Sequence, residues 1–254
     1  LLSPITMARL KNLGILVFWL GVWQIFSLII DNDLLLPSPI NTVLRLTQLV
    51  QENFFWVSIM TSLKRIMSGF LLAFAVASVL AFLAAKLPWV HDFMSPLFNV
   101  IKSIPVASFI ILALIWVKSG YLSTFCSFIM VVPILYASLH QGLVSVSTDL
   151  LEVGYVYGLS RWAIMKKIYI PSIIPFLISS CTVGLGLAWK SGVAAEVIGL
   201  LNSTIGMQLY NAKVSLEITD LFAWTLIIVL LSFLLEKIFL LVIKLLNRHF
   251  QTSY

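Results

Sequence analysis

Two charged side chains, Lys190 and Glu196, lie inside an apolar run at residues 171–197. A charge at the centre of a membrane span costs at least about 2.5–3.5 kcal/mol, so such a residue marks a functional path or pairs with another charge. Six residues separate the two, which places them about 120° from facing each other on a helix. A direct pair would need a helix break at Gly192. Two interpretations stay open: Lys190, Glu196 and Gly192 line a translocation path, or both charges lie near a wet end or pair with other spans.

The other reactive residue types form no recognisable site. Cys126 and Cys181 both lie in apolar runs and are typical of small buried side chains. The three histidines are far apart and lack metal-ligand spacing, and His140 alone lies inside an apolar run. No metal site is expected. The chain also lacks the Gly-x-x-x-x-Gly-Lys-Ser/Thr loop that cradles ATP phosphates, so ATP and magnesium are expected on a partner and no cofactor on this chain.

Composition assigns the chain to the integral membrane proteins. Hydrophobic residues make up 61% of it and charged residues 10%, against about 45–50% and 25% in soluble domains. A soluble or disordered chain is therefore excluded. The net charge of +6 fits basic loops that face the cytoplasm and anionic lipid, rather than nucleic acid.

Six uncharged or nearly uncharged runs are long enough to span a membrane, which predicts an all-α fold with six transmembrane helices. They lie at residues 13–30, 66–85, 93–117, 121–141, 171–197 and 221–243. Pro105 and Pro133 are expected to kink the third and fourth spans.

Six spans place both termini on one side, and the basic residues favour the cytoplasmic side. Loops on the side of the termini carry eight Lys and Arg, and loops on the opposite side carry five. The eight are Arg9, Lys11, Lys86, Arg161, Lys166, Lys167, Lys244 and Arg248, and the five are Arg45, Lys64, Arg65, Lys118 and Lys213. A multi-pass membrane protein with both termini in the cytoplasm is expected.

The first outer segment, residues 36–60, contains a predicted amphipathic helix. Ser38 can cap this helix and Pro39 suits its first turn. Four residues then share one face: Ile40, Val43, Leu44 and Thr47. This pattern is typical of a helix on the outer membrane surface, and a plain loop is the alternative.

The inner loop at residues 149–171 is long and patterned. Asp149 is predicted to cap a first short helix, and Gly158 to end it in a left-handed conformation. Ser160 is predicted to cap a second helix that runs to about residue 168, and Pro171 to mark entry into the next span. Two short helices set at an angle would form a rigid knob that can transmit force.

This loop resembles the EAA loop of ABC importer permeases. In that pattern a Glu-Ala-Ala triplet is followed by a Gly and a downstream Ile-x-x-Pro, which here are Glu152-Val-Gly, Gly158, Ile168 and Pro171. Val153 and Gly154 depart from the pattern, because they replace its two alanines. Gly154 weakens the first helix by about 1 kcal/mol relative to alanine. It is interpreted as a tolerated variant or as room for close packing on a partner.

Further motifs resemble the nitrate/sulfonate/taurine-type branch of these permeases. They include Leu36-Pro-Ser-Pro39, Ser62-Leu-Lys-Arg with a later Gly-Phe, Lys102-Ser-Ile-Pro-Val106 and Ala194-Ala-Glu-Val-Ile-Gly199. Together they cover residues 36–248.

The resemblance implies a type I ABC importer permease (MetI-like) fold. Its expected divisions are an N-terminal transmembrane helix at 1–35, an outer amphipathic segment at 36–60 and a five-helix core at 61–248. It implies a homodimer, two ABC ATPase subunits and an extracytoplasmic solute-binding protein. The ATPase-coupling residues it implies are Glu152, Gly154, Gly158, Ser160, Arg161, Lys166, Ile168 and Pro171.

Several alternatives remain at the level of sequence. Glu152 is either a helix-start carboxylate or a contact to a basic residue of the ATPase. Arg161, Lys166 and Lys167 are either membrane-side anchors or ATPase contacts. The expected solute is small and anionic, such as nitrate, a sulfonate or taurine. The alternative function is a secondary transporter driven by an ion gradient, supported by Lys190 and Glu196.

Overall fold

The computed structural model describes the backbone of residues 4–251 and the side chains of Lys11 and residues 13–243. All regular elements in this part of the chain are helical. Five helices are long and apolar enough to cross a membrane, and a sixth crossing is present when one bent pair counts as a span. The predicted all-α membrane fold is confirmed. The side chains of Arg9, Lys244 and Arg248, which entered the charge count, lie outside the described residues, as do residues 1–3.

Eleven helices follow one another within residues 4–251, and a π-helical turn, Met165–Tyr169, lies between α8 and α9. They are α1 (Pro4–Ile30), α2 (Pro39–Leu49), α3 (Asn53–Lys86), α4 (Pro88–Ser103), α5 (Val106–Trp116), α6 (Ser119–Val144), α7 (Thr148–Val156), α8 (Arg161–Ile164), α9 (Ile170–Ile198), α10 (Ile205–Val214) and α11 (Ile218–Gln251).

The core is formed where α3, α6 and α9 pack together. Alanines spaced along α3 are fully buried there and let the helices approach closely. They are Ala73, Ala77, Ala81 and Ala84. Residues 13–30 of helix α1 are the opposite case, because they are almost entirely exposed. The helix contacts the outer segment through the Trp23 indole, which donates to the Pro37 carbonyl at 3.0 Å.

The third span is two helices rather than one. Helices α4 and α5 meet at an angle of 108°. Pro105 lies between them and has no N–H with which to continue a helix. His91 near the start of α4 stacks on His140 near the end of α6, while Ile110 of α5 clusters with Leu122 near the start of α6. The pair therefore runs from one end of α6 to the other as a broken span. The kink expected at Pro105 is confirmed, whereas Pro133 lies within α6 without breaking it.

The outer helix α2 begins as the sequence predicts. The Ser38 hydroxyl accepts the backbone N–H of Asn41 at 3.0 Å, and Pro39 is the first helical residue. The predicted apolar face, including Ile40 and Val43, is exposed, and the opposite face buries Thr42. The apolar side is therefore free to contact lipid.

An ion pair fastens α2 to the start of α11. The Arg45 guanidinium donates to both carboxylate oxygens of Asp220, at 2.5 and 2.9 Å. The hydrogen bond to Asp220 raises the pKa of Arg45 above its usual value. This pair therefore joins two elements that are far apart along the chain.

Candidate functional site

The inner loop folds into two short helices whose ends are capped by side chains. Ser147 caps α7 by accepting the N–H of Leu150, so the predicted cap at Asp149 is wrong by two residues, and Asp149 lies in the first turn. Ser160 caps α8 by accepting the N–H of Ala163 at 3.2 Å, as predicted. Both caps satisfy helix-end N–H groups and make the loop stiff.

Gly158 makes the turn between the two helices. Its φ is +65°, in the left-handed region that other residues adopt at a cost. The next backbone N–H, that of Leu159, bonds to the Gly154 carbonyl at 3.0 Å and closes the turn. The predicted left-handed end of the first helix is confirmed.

The second helix does not end near residue 168 as predicted. It continues through the π-helical turn into α9, so that residues 161–198 are one unbroken helical segment. The N–H of Ile170 bonds to the carbonyl of Met165, five residues back, and Pro171 follows within α9. The wider turn comes just before a residue without an N–H. The Ser172 hydroxyl then donates a hydrogen bond to the Ile168 carbonyl at 2.8 Å.

Gly154 faces its own chain rather than solvent. It is buried, and a β-carbon built on it would lie 3.1 Å from the Ile168 δ-methyl and 3.6 Å from Ile164. The missing side chain therefore lets α7 lie close to α8 and the π turn. Of the interpretations offered for Gly154, this geometry supports close packing, but the packing is within the knob and not on a partner.

The outward surface of the knob is rich in large exposed side chains. Val156, Tyr157 and Trp162 are 84%, 80% and 75% exposed. Glu152, Arg161 and Lys167 are also exposed, while Lys166 and Ile168 are half-buried and Pro171 is exposed at the start of α9. Large exposed apolar and aromatic side chains together with charged ones have the character of a protein-binding patch.

Lys190, Glu196 and Gly192 are not brought together. Helix α9 is unbroken from Ile170 to Ile198, so the break that would pair Lys190 with Glu196 does not occur. Lys190 is exposed and Glu196 is 0% exposed. Of the two charged residues predicted to line a translocation path, only Lys190 is exposed on the surface of this chain.

Glu196 is held by three donors from three other parts of the chain. Ser62 of α3 donates to it at 2.7 Å, Ser123 of α6 at 3.3 Å and the backbone N–H of Gly206 at 3.2 Å. Ser62 in turn accepts the backbone N–H of Ile205 at 2.9 Å. The carboxylate therefore holds the start of α10 against the core.

Gly192 lies where α9 packs tightly against α3 and α6. A β-carbon there would lie 2.5 Å from Ile66 Cγ1 and 2.6 Å from the Ser127 hydroxyl. Gly184 and Ala188 continue the same buried stripe. The small residues of α9 thus have a packing role inside one subunit.

Sequence reasoning did not identify Ser62 and Ser123 as hydrogen-bond donors to Glu196. Serine and threonine are common in membrane helices and carry no spacing signal for a partner far along the chain. Helix α10, capped by Thr204, was also missed. The Arg45–Asp220 pair joins residues 175 positions apart. The one signal for it in the sequence was the position of Arg45 away from the apolar face of α2.

Comparison with known proteins matches residues 69–252 to the family model described as binding-protein-dependent transport system inner membrane component. A probable ABC transporter permease of Brucella melitensis is 26% identical over 91% of this chain and 95% of its own length. A nitrate import permease of Synechocystis is 26% identical over 86% of this chain and 82% of its own. The taurine transport system permease of Escherichia coli is 24% identical over 92% and 87%.

Proposed function

The chain belongs to the family of binding-protein-dependent transport system inner membrane components, and on this premise we propose how it works as an ABC transporter permease. It forms the solute path of an importer and couples that path to two ATPase subunits. It carries out no covalent chemistry itself. A second copy of the chain completes the path, and an extracytoplasmic binding protein delivers the solute.

The observation that carries the coupling role is the continuous helix from the knob into the membrane. Residues 161–198 form one helical segment, so a displacement of α8 moves α9 without a flexible joint. The exposed Val156, Tyr157 and Trp162 provide the surface that seats on the ATPase. ATP-driven closure of the ATPases would pull the knobs and rock α9 against α3 and α6.

The membrane orientation follows from the same assignment. The knob and the Lys86 end of α3 face the cytoplasm, and α2 and α10 face outward. Both termini are then cytoplasmic, in the cytoplasmic membrane of a bacterium. The basic residues of the inner loops support this orientation.

A small anionic or sulfonate-type solute is the proposed cargo. Two of the similar proteins are named for nitrate and taurine. The two charged residues of α9 differ in exposure. Glu196 is buried and hydrogen-bonded to Ser62, whereas Lys190 is exposed. The exposed charge that α9 presents within the membrane is therefore positive, which favours an anion.

Co-purification tests the coupling role. The chain is expressed together with the proteins of its neighbouring genes and isolated in detergent, and we expect one ATP-binding subunit per permease. Gly158→Val forces a β-branched residue into the left-handed region and should abolish this retention. Gly120→Val at the exposed start of α6 is the matched control, because a β-carbon there meets nothing within 4 Å and its φ is ordinary.

The contrary result is equally specific. A folded chain that never retains an ATPase, yet moves solute in proteoliposomes under an ion gradient alone, would favour the secondary transporter.

A further inference from the structure

A cavity of about 500 Å³ lies between the knob and the adjoining ends of α3 and α6. Its lining includes the cations Lys86 and Arg161 and the tyrosines Tyr155 and Tyr169. No acidic side chain is among the described residues that line it. The cavity therefore offers positive charge and hydrogen-bond donors to an anion.

The rest of the wall is apolar. Phe82, Leu143 and Met165 line it, and the Lys86 ammonium lies 4.3 Å from the centre of the Phe82 ring. A small soluble anion would leave this apolar wall uncovered and most of the volume empty. An amphiphile with an anionic head fits both halves of the lining.

The surface of α3 leads directly from this cavity along the membrane span. Leu72, Val76, Val79, Leu83 and Lys86 lie on one face of the helix, since their spacing alternates four and three residues. All five are exposed. A lysine at the end of an exposed apolar stripe is the arrangement in which the ammonium reaches the headgroup layer.

We propose that this cavity binds the headgroup of an anionic phospholipid of the cytoplasmic leaflet, with one acyl chain along the α3 stripe. The phosphate bridges Lys86 of α3 and Arg161 of α8. A bound lipid thereby ties the coupling loop to the core and restrains its movement. The effect on coupling rests on the proposed function, whereas the lipid binding does not.

The test counts lipids retained by the assembled transporter. The permease–ATPase complex is placed in nanodiscs of phosphatidylcholine and phosphatidylglycerol, released, and analysed by native mass spectrometry. We expect preferential retention of phosphatidylglycerol. Lys86→Gln should lower that preference about fivefold, the effect of one basic residue near an anionic surface, and the double variant with Arg161→Gln should abolish it.

Two controls separate this site from weaker explanations. Lys213→Gln removes the same charge from an exposed residue at the opposite end of the bundle and should keep the wild-type preference. Millimolar inorganic phosphate should not displace the lipid. Equal retention of the two lipids by the wild type, displacement by phosphate, or an equal loss in Lys213→Gln would each overturn the proposal.

A wild type without any lipid preference overturns the proposal even if a variant fails to fold. The transport function has its own readout, solute uptake driven by ATP in vesicles of phosphatidylcholine alone. Uptake there with no lipid preference would overturn the lipid site and leave the transporter assignment intact.

Discussion

Ser62 of α3 and Glu196 of α9 are 134 residues apart and share a hydrogen bond of 2.7 Å in the buried core. The same hydroxyl accepts the N–H of Ile205. One serine thereby connects the end of α9, the start of α10 and the long helix α3. Because the carboxylate is fully buried, its role in this chain is to hold these elements together.

Glu196→Ala is expected to destabilise the fold strongly. It leaves the hydroxyls of Ser62 and Ser123 and the N–H of Gly206 without their acceptor, and each unsatisfied buried group costs about 1–3 kcal/mol. Thermal unfolding of the detergent-purified chain measures the loss. Lys190→Ala on the same helix is the control, because Lys190 is exposed. Equal melting temperatures for the two variants would refute the structural role of Glu196.

Lys190→Gln is expected to reduce the uptake of an anionic solute while leaving the melting temperature nearly unchanged. The substitution removes the exposed positive charge of α9 and retains a polar side chain. Uptake of nitrate or taurine by proteoliposomes that contain the complete transporter gives the measurement. Lys118→Gln, an exposed lysine just before α6, is the control for net charge. Unchanged uptake by Lys190→Gln would remove Lys190 from the proposed path.

Gly192→Ala and Gly186→Ala form a matched pair on α9. The added methyl group at Gly192 meets Ile66 and Ser127 at 2.5 and 2.6 Å, whereas at Gly186 it meets nothing within 4 Å. Overpacking of this kind costs about 1–3 kcal/mol. We expect Gly192→Ala to lower thermal stability and Gly186→Ala to leave it the same or raise it. The reverse order would contradict the packing of α9 on α3 and α6.

Gly154→Ala is expected to preserve transport, whereas Gly154→Leu should impair it. The alanine methyl comes tightly against only the flexible end of Ile168, at 3.1 Å, and meets Ile164 and Leu159 at an ordinary contact distance of 3.6 Å. Its helix propensity offsets a small shift by about 1 kcal/mol. A leucine must push α7 away from α8 and change the shape of the knob. Solute-stimulated ATPase activity of the complex reports the difference. Val153→Leu, at an exposed neighbouring position, is the control for added bulk.

The Arg45–Asp220 pair is expected to contribute about 1 kcal/mol or less, because it is partly exposed to solvent. A double-mutant cycle with Arg45→Ala and Asp220→Ala measures the coupling from unfolding midpoints. High salt should weaken it. Since Asp220 raises the pKa of Arg45, the guanidinium stays charged and the coupling should not fade as the pH rises to about 10. Additive single effects would show that the pair contributes nothing.

Local features could be predicted because they depend on residues within one or two helical turns. The caps at Ser38 and Ser160 and the left-handed Gly158 each follow from a side chain and its next few neighbours. The spans follow from apolar length alone. The cap of α7 was misplaced because Ser147 and Asp149 are both good caps, and local preference does not rank them.

The amino-acid sequence by itself determined the membrane class, the helical spans, the capped loop and the family resemblance, since composition and short-range patterns suffice for these. The tertiary structure decided that Glu196 is bound by Ser62 and Ser123, that Lys190 remains exposed, and that Gly154 packs inside the knob. Those outcomes depend on which helix faces lie against each other. Hydrogen bonds and steric contacts between different helices, such as the bond between Ser62 and Glu196 across 134 positions, arise only when the helices pack. The same serine or glycine would look ordinary in any other span.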